Sequence, residues 1–382
     1  MRVYFDNAAT TPLDPDVAKA MYDIMISHYG NPSSIHQEGR QARTLIERAR
    51  KAIAGYLNAS PGEIFFTGGG TESDNMVIQC LVRDLGVNTI ITSKIEHHAI
   101  LHTVDLCHEK YGTEIKYVKL LPNGHIDWAD LEELLSESPK GQTMVTLMHA
   151  NNEIGNLLDI ERAGALCAQY GAYFHSDTVQ TIGHYPIDVK KARLHFLSAS
   201  AHKFNGPKGA GFIYINGDVK IKPLIHGGAQ ERNMRGGTEN IYGIIGLAKA
   251  LEIAYNEMDT QSEHIEGIKN YMAEKLLENI PGISFNGDYK GDSSYTVLNV
   301  NFPIGEDSEM MLFSLDIEGI AASGGSACSS GSSVGSHVIK ELNPKPGVTQ
   351  VRFSFGKYNT KEEVDFTVDK LREILKLEKV SA

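Results

Sequence analysis

The sequence predicts an α/β fold in which a mostly parallel sheet carries helices on both faces. Short apolar segments, typical of buried strands, alternate with stretches of helical periodicity from residue 89 to residue 175. Such alternation implies right-handed crossovers between parallel strands. A glycine-rich turn also joins an earlier apolar segment to a helix, as in α/β proteins that hold a phosphate. The four alternating apolar segments are residues 89–92, 115–118, 144–148 and 172–175.

The pattern changes near residue 255. A long helical region runs from about residue 240 to residue 279, and a terminal helix is predicted from Thr360. Between them, short strands and one helix predict a smaller α+β domain. We therefore expect a large domain of residues 15–255, and a small domain made of the N-terminal arm (1–14) with residues 256–382. The strands of the small domain are predicted at 283–285, 294–301 and 348–355, with a helix at 308–317.

Composition narrows the functional classes. The 382 residues carry a net charge of -12 and form no long basic block, which argues against a nucleic-acid surface. No apolar run is long enough to span a bilayer and the N-terminus has no signal core, so we expect a cytoplasmic protein without a membrane partner. The four cysteines form neither a disulfide framework nor a metal motif, and no metal is expected. Three lie in apolar helical patterns that predict burial: Cys80, Cys107 and Cys167.

The N-terminal segment predicts an ordered arm that leads into a helix. Residues 5–12 are small and polar, and Asp14-Pro15-Asp16 supplies a cap, a proline and an acid. The stretch 30–34 breaks this helix before a second one at about residues 36–56. Asn31 lies in that break, where an asparagine side chain either hydrogen-bonds to the backbone of the turn or contacts a ligand.

The stretch after residues 64–67 has the form of a phosphate site. A short apolar strand runs into Gly68-Gly-Gly70 and Thr71, and a helix follows. Unpaired amides and the positive end of the helix dipole favour an anion there, and the hydroxyls of Thr71 and Ser73 can contribute. The alternative is an ordinary glycine turn with Thr71 as the helix N-cap.

Ligands in parallel sheets lie at the carboxyl ends of the strands. Polar residues follow three of the predicted strands, at 96–98, 151–153 and 176–180. Singly, each set could serve as a helix cap or turn. Because strand ends meet at one edge of a sheet, we expect the three sets to converge.

Lys203 follows the apolar run 196–199 and is flanked by glycines that permit close backbone approach. Burial lowers the pKa of a lysine amine, which can then condense with an aldehyde. The stretch is also compatible with a strand that ends in a polar loop. Together with a phosphate cradle on the same sheet, it indicates pyridoxal phosphate.

That cofactor requires particular partners, and the strand ends offer them. A carboxylate, Asp177, can keep the pyridine nitrogen protonated. Gln180 can bond the ring hydroxyl, and the imidazole of His97 can stack on the ring and exchange protons. Asn152 can bond the substrate or a ring oxygen. The phosphate group would be held by Gly70, Thr71, Ser200 and His202.

Ten short strings extend this interpretation over nearly the whole chain. In this order they resemble the NifS/IscS family of cysteine desulfurases, among the fold-type-I pyridoxal-phosphate enzymes. The resemblance implies a large domain built on a mostly parallel, seven-stranded sheet. The strings are Asp-Asn-Ala-Ala-Thr-Thr (6–11), Gly-Asn-Pro-Ser-Ser (30–34), Gly-Gly-Thr-Glu-Ser-Asp-Asn (69–75), Glu-His-His-Ala (96–99), Asn-Asn-Glu-Ile-Gly (151–155), Asp-Thr-Val-Gln (177–180), Ser-Ala-His-Lys (200–203), Arg-Gly-Gly-Thr-Glu-Asn (235–240), Gly-Ser-Ala-Cys-Ser-Ser-Gly (325–331) and Val-Arg-Phe-Ser-Phe-Gly (351–356).

The resemblance also assigns roles. Lys203 would bind the cofactor covalently, and the other positions would act as described above. Asn31, Asn152 and Arg352 would hold the substrate amino acid, with the Arg352 fork on its carboxylate. Cys328 would be the nucleophile that takes sulfur from L-cysteine as a persulfide and leaves L-alanine. The glycines and serines around Cys328 predict a mobile loop.

By the same resemblance the protein is a homodimer in which Thr238, in Arg235–Thr238, reaches the phosphate site of the neighbouring subunit. The sulfur would pass to an acceptor such as an iron-sulfur scaffold or a tRNA-thiolation enzyme. The stretch after Cys328 lacks the Leu-Glu-Pro triplet of many IscS-type members. A selenocysteine lyase, an aminotransferase of the same fold, and a catalytically silent partner-binding protein are the alternatives.

Overall fold

The computed structural model of the chain describes residues 1–303, 308–324, 335–343 and 347–377. Its strands are β1 (Val3–Tyr4), β2 (Ile64–Thr67), β3 (Thr89–Thr92), β4 (Glu114–Tyr117), β5 (Thr143–Thr146), β6 (Tyr173–Asp177), β7 (Phe196–Ser200), β8 (Gly211–Ile215), β9 (Ser284–Asn286), β10 (Val297–Phe302), β11 (Ile320–Ala321) and β12 (Thr349–Ser354). Its α-helices are α1 (Pro15–Ser27), α2 (Gln37–Tyr56), α3 (Gly70–Leu85), α4 (His98–Tyr111), α5 (Trp128–Ser136), α6 (Ile160–Tyr170), α7 (Ile241–Asn256), α8 (Met258–Asn279), α9 (Ser308–Ile317), α10 (His337–Glu341) and α11 (Lys361–Ile374).

Seven strands form the central sheet, in the order β2-β8-β7-β6-β5-β3-β4. Only β8 is reversed, since it pairs antiparallel with both β2 and β7 while the other pairs are parallel. The predicted mostly parallel α/β fold is confirmed. The sequence interpretation did not include β8, whose apolar residues follow the loop after Lys203.

Helices cover both faces of this sheet because successive strand residues point to opposite sides. Phe66 and Ile91 belong to one buried cluster, to which α2, α6 and α7 contribute. Their neighbours Phe65 and Ile90 belong to another, formed with α3 and α4. The cysteines of α3, α4 and α6 are buried, as predicted: Cys80, Cys107 and Cys167.

A second, antiparallel sheet has the order β12-β10-β9. Its core includes residues of α8, α9 and α11 and also Val3 and Phe5 of the N-terminal arm. Strand β1 pairs in parallel with β11, and the Phe5 ring meets the rings of Phe353 and Phe355 edge-on. The arm is therefore packed against elements that lie more than 250 residues later in the sequence.

Three predicted boundaries differ from the structure. The helical region 240–279 is two helices, because Glu257 leaves the helical conformation at φ -109° and ψ 8°. The strand predicted at 294–301 begins only at Val297. Lys203 does not leave a strand directly, since β7 ends at Ser200 and a single 3-10 turn, Ala201–Lys203, follows. In the part of the chain that is described, no helix combines the length and apolarity that a membrane crossing requires.

Candidate active site

A cavity of about 200 Å³ opens at the carboxyl ends of the central strands, between them and the N-terminal arm. It gathers most of the residues that the sequence singled out, from seven separate parts of the chain. Its lining is Ala8, Ala9, Gly70, Thr71, Asp74, His97, Met148, Asn152, Asp177, Val179, Gln180, Ser200, His202, Lys203 and Arg352.

Lys203 lies on the 3-10 turn after β7 and is half-buried. Its Nζ donates hydrogen bonds to the backbone carbonyls of Ala8, at 2.5 Å, and of Ala9, at 2.9 Å. Gln180 Nε2 also donates to the Ala8 carbonyl, at 3.1 Å. The arm is thus a wall of the site. Sequence reasoning missed this, because two alanines carry no side-chain chemistry to mark them.

The glycine turn before α3 forms one end of the cavity. Gly69 has φ +144°, a region that favours glycine. A Cβ on Gly70 would lie 2.6 Å from Val179 Cγ2, so no side chain fits there. The helix N-cap is Gly69 without a side-chain cap bond, not Thr71 as the alternative interpretation had it. Backbone amides and the helix dipole therefore face the cavity without a capping side chain.

His202 lines the same cavity. Its Nδ1 is 3.2 Å from Thr10 Oγ1. Burial, together with the nearby positive charges of Lys203 and Lys208, lowers the pKa of His202 to about 4. The imidazole is therefore neutral near pH 7, and it can serve an anion as a hydrogen-bond donor without adding charge.

Asp177 ends β6 and points into the cavity. Its Oδ1 accepts a hydrogen bond from the Val179 amide at 2.9 Å. Burial raises the pKa of Asp177 to about 6, against the lowering effects of that amide and of Lys203. The carboxyl is therefore ionised at neutral pH and offers one negative charge to a ligand.

His97 caps α4: its Nδ1 accepts a hydrogen bond from the Ala99 amide at 3.1 Å. Because Nδ1 accepts, the ring proton is assigned to Nε2. Burial and the charge of Lys203 lower the pKa of His97 to about 4. A neutral ring with Nε2–H is left to face the cavity.

Arg352, on β12, forms the opposite wall and is 1% exposed. One guanidinium nitrogen donates to Asp6 Oδ1 at 2.8 Å and the other to the Asn152 carbonyl at 2.9 Å. Its Nε is buried and has no hydrogen-bond partner within the described residues. Asn152 lines the cavity, and its contact with Arg352 is made by the backbone. The sequence interpretation missed Asp6, whose partner lies 346 residues away.

Ser73, whose hydroxyl was expected to contribute to the anion site, is buried with its Oγ 2.9 Å from Thr67 Oγ1 and does not line the cavity. Three further predicted site residues are also not in this lining. Asn31 is exposed, and its Oδ1 accepts a bond from the Ser33 amide at 2.9 Å. Thr238 is exposed on the loop after Gly237. Cys328, with the predicted mobility of its loop, lies outside the described residues. The functions assigned to all three stay predictions.

The donor set fits a phosphate-bearing aldehyde cofactor. A lysine amine can hold the aldehyde, the N-terminus of α3 at the glycine turn has no capping side chain and can take a phosphate, and the buried carboxylate of Asp177 lines the same cavity. The fold and this site define the class of protein. The family description "Aminotransferase class-V" matches residues 3–366, so the chain belongs to this family, whose members depend on pyridoxal phosphate.

Closer relatives specify the branch. The chain is 44% identical over 380 residues to "Cysteine desulfurase IscS" of Dictyoglomus turgidum, which covers 98% of this chain and 94% of that protein. A solved "NIFS-LIKE PROTEIN" is 36% identical with a TM-score of 0.90, over 99% of this chain and 100% of the other. The structure "SspA in complex with cysteine" is 31% identical with a TM-score of 0.81, over 94% and 100%. Within its class, the chain belongs with the IscS/NifS cysteine desulfurases.

Proposed function

We propose that the protein converts L-cysteine to L-alanine with pyridoxal phosphate on Lys203 and passes the sulfur to Cys328 as a persulfide. The observation that carries this proposal is the cavity itself. It places the Lys203 amine, the Asp177 carboxylate and the Arg352 guanidinium around one space of about 200 Å³. Family membership and the cysteine complex of SspA, a relative, support L-cysteine as the substrate.

Different residues of the cavity would hold different parts of the cofactor. When bound, pyridoxal phosphate supplies an electron sink that stabilises negative charge on the substrate. Asp177 would hold the ring nitrogen, Gln180 the ring hydroxyl, and His97 would cover the ring face. The phosphate would lie at the α3 N-terminus, against Gly70, Thr71, Ser200 and His202.

Arg352 would hold the substrate carboxylate. Its Nε–H, which has no partner among the residues that the structure describes, and its fork geometry suit a bidentate carboxylate, with Asp6 already on one of its nitrogens. Asn152 would bond the substrate from the same wall. Asn31 would also contact the substrate, as the family resemblance implies.

Sulfur transfer then needs a nucleophile and a group that can accept and donate protons. The Cys328 thiolate would form a sulfur–sulfur bond with the substrate sulfur as the carbon–sulfur bond breaks. The electron pair of the broken bond goes to the substrate's β carbon, which takes up a proton to become the methyl group of alanine. Neutral His97 and the Lys203 amine are the groups of the cavity that can hold and return protons.

The assembly is part of the same proposal. We infer a homodimer in which Thr238 completes the phosphate site of the neighbouring subunit. The segment before Thr238 is anchored to its own subunit, because Arg235 bonds Glu72 at 2.9 Å and Glu231 bonds the buried Arg50 at 2.7 Å. Thr238 itself stays exposed, which supports a contact outside the subunit.

Family membership supports three further parts of the proposal. The chain divides into a large domain of residues 15–255 and a small domain of residues 1–14 with 256–382. The enzyme works in the cytoplasm. Its sulfur acceptor is a protein such as an iron-sulfur scaffold or a tRNA-thiolation enzyme.

The deciding experiment is Cys328→Ala, with Cys107→Ala as a matched control on a buried thiol away from the cavity. Alanine release from L-cysteine is measured together with the visible absorbance of the bound cofactor. We expect Cys328→Ala to keep the absorbance, and its spectral response to cysteine, but to release almost no alanine. The control should stay near wild type. Near-normal alanine release by Cys328→Ala would refute the desulfurase mechanism, and preferential turnover of selenocysteine or of keto acids would favour the alternatives.

A further inference from the structure

A layer of buried polar side chains lies behind Asp177, on the sheet face that α3 covers. Strand pairing sets Thr146 opposite His175 and Asp177 opposite Ser198. Because His175 and Asp177 are two positions apart on β6, all four share one face. The fifth member, Asp74, comes from α3 and is 1% exposed. A polar layer this deep is unusual, since buried polar groups cost stability unless they are bonded.

His175 links the layer. Its Nδ1 lies 2.8 Å from Thr146 Oγ1, and its Nε2 lies 3.0 Å from Ser198 Oγ and 3.6 Å from Asp74 Oδ1. Burial lowers the pKa of His175 to about 3, so the ring is neutral. Asp74 therefore has no cation at His175. Its Oδ1 is buried without a hydrogen-bond partner among the described residues.

Charged and titratable groups reach this layer from several elements. Asp177 comes from β6, Glu96 from the turn before α4, and Lys203 from the turn after β7. Burial and the charge of Asp177 raise the pKa of Asp74 well above its usual range, and burial does the same for Glu96. Of these three carboxyls, only Asp177 has both a hydrogen bond from a backbone amide and the positive charge of Lys203 to stabilise its anion. Of the three neighbouring carboxyls, Asp177 therefore has the best-stabilised anion.

We propose that Asp74 is held as a neutral carboxylic acid and that, with Ser198 and His175, it positions Asp177 and keeps the layer's negative charge on Asp177. Asp74 is a positioning residue, since it acts through Asp177. The inference deepens the proposed function and rests on it for the cofactor, but the protonation state of Asp74 can be tested without catalysis.

The first experiment compares Asp74→Asn with wild type by thermal unfolding of the purified full-length protein from pH 5 to pH 8. A buried acid with a raised pKa binds more protons folded than unfolded. Wild-type stability therefore falls as the pH rises from ~4 towards the folded pKa. Asparagine imitates the neutral acid and removes this loss, so Tm of Asp74→Asn minus Tm of wild type should increase with pH.

Asp84→Asn, on the same helix, is the matched control. Asp84 bonds Arg83 at 2.7 Å, and this bond lowers the pKa of Asp84. Its anion stabilises the fold above the unfolded pKa, so Asp84→Asn should lower Tm at pH 8 relative to wild type. An Asp74→Asn variant that loses Tm at pH 8 as Asp84→Asn does would show that Asp74 is charged, and the proposal would fail.

The second experiment tests positioning in the holoenzyme. The visible absorbance of bound pyridoxal phosphate is titrated against pH for Asp74→Asn, Asp74→Ala and Ser198→Ala. Asp74→Asn should keep the wild-type midpoint to within about 0.3 pH unit, whereas the two alanine variants should move it by about one unit. A one-unit shift in Asp74→Asn, or unchanged midpoints in both alanine variants, would overturn the proposal. If no cofactor binds at all, the proposed function fails while the unfolding comparison still decides the state of Asp74.

Discussion

The two walls of the cavity handle charge in opposite ways. On the central-sheet wall, burial lowers the pKa of His97 and of His175 and raises the pKa of Asp74, so Asp177 is the carboxyl that offers a negative charge near pH 7. On the opposite wall, which is formed by the N-terminal arm and β12 and is called the arm wall below, Arg352 is 1% exposed and is paired with Asp6 at 2.8 Å. The sheet wall presents one carboxylate charge in fixed surroundings, whereas the arm wall presents a guanidinium charge that already has a partner.

The difference follows from where each wall comes from. The sheet wall is made of neighbouring strands and α3, whose backbone pairing fixes side-chain positions without any ion pair. The arm wall joins β12 to a segment 346 residues away, and an ion pair is part of that junction. A ligand carboxylate can join Asp6 on the arginine.

The largest effect is expected when Lys203 is replaced, because its amine is the group of the cavity lining that would bind the cofactor covalently. Lys203→Ala should lower alanine formation by at least roughly 10²–10⁴-fold, because no other group of the lining is an amine. The check is borohydride reduction followed by peptide mass spectrometry, which should find the cofactor on Lys203 in wild type and nowhere in the variant. Lys220→Ala, an exposed lysine outside the cavity, is the control. A reducible cofactor adduct that persists in Lys203→Ala would contradict the assignment.

Asp177→Asn tests the carboxylate charge that the sheet wall presents. An amide keeps the size of the carboxyl but cannot balance a protonated ring nitrogen, so turnover should fall by roughly 10²–10³-fold, a loss typical of a preorganised charge. Cofactor content, read from absorbance after alkaline release, should fall much less. Equal losses of both quantities would mean that Asp177 serves binding alone.

Arg352→Lys tests the arm wall with its charge retained. Lysine cannot offer two parallel donors to a carboxylate, so kcat/KM for L-cysteine should fall by roughly 100-fold, mainly through KM. Steady-state kinetics with holoenzyme provides the measurement. An unchanged KM would remove Arg352 from the substrate site and leave it a structural partner of Asp6.

Asp6→Asn removes the ion-pair partner of Arg352 while the arginine is kept. The ligand-free protein should lose about 1.5–3 kcal/mol of unfolding free energy, the usual worth of a hydrogen bond to a charged group. Added L-alanine should then raise Tm more in this variant than in wild type, because its carboxylate becomes the counterion of Arg352. A smaller rise than in wild type would indicate that Asp6 helps to orient the ligand.

The smallest effect concerns pH. Asp177 with a pKa of about 6 predicts that turnover declines as the pH falls through 6, since the protonated form carries no charge. His97, with a pKa of about 4, predicts no break of its own between pH 5 and 8. Turnover measured over this range should show one acidic limb, which Asp177→Asn abolishes. A limb that survives in this variant would belong to another group.

The sheet wall could be predicted from the sequence and the arm wall only in part. Asp177 and Lys203 follow apolar strands of a parallel sheet, and such strand ends must meet. The alanine carbonyls on Lys203 and the ion pair of Asp6 depend on how a distant segment docks, which no local pattern records. Asp74 was missed for a different reason. Within α3 it looks like one polar residue among several, and only the depth of the helix makes it unusual.

The N-terminal arm carries a consequence for protein synthesis. Residues 1–14 are translated before the segments that they contact: Val3 pairs with Ile320, and the Asn7 amide bonds the Ser354 carbonyl, 347 residues away. The contacts that hold the arm, and with it the Ala8 and Ala9 carbonyls at Lys203, are therefore complete only after β12 has been translated. A nascent chain can assemble its central sheet and still lack one wall of the cavity, so the competence of the site is a property of the finished polypeptide.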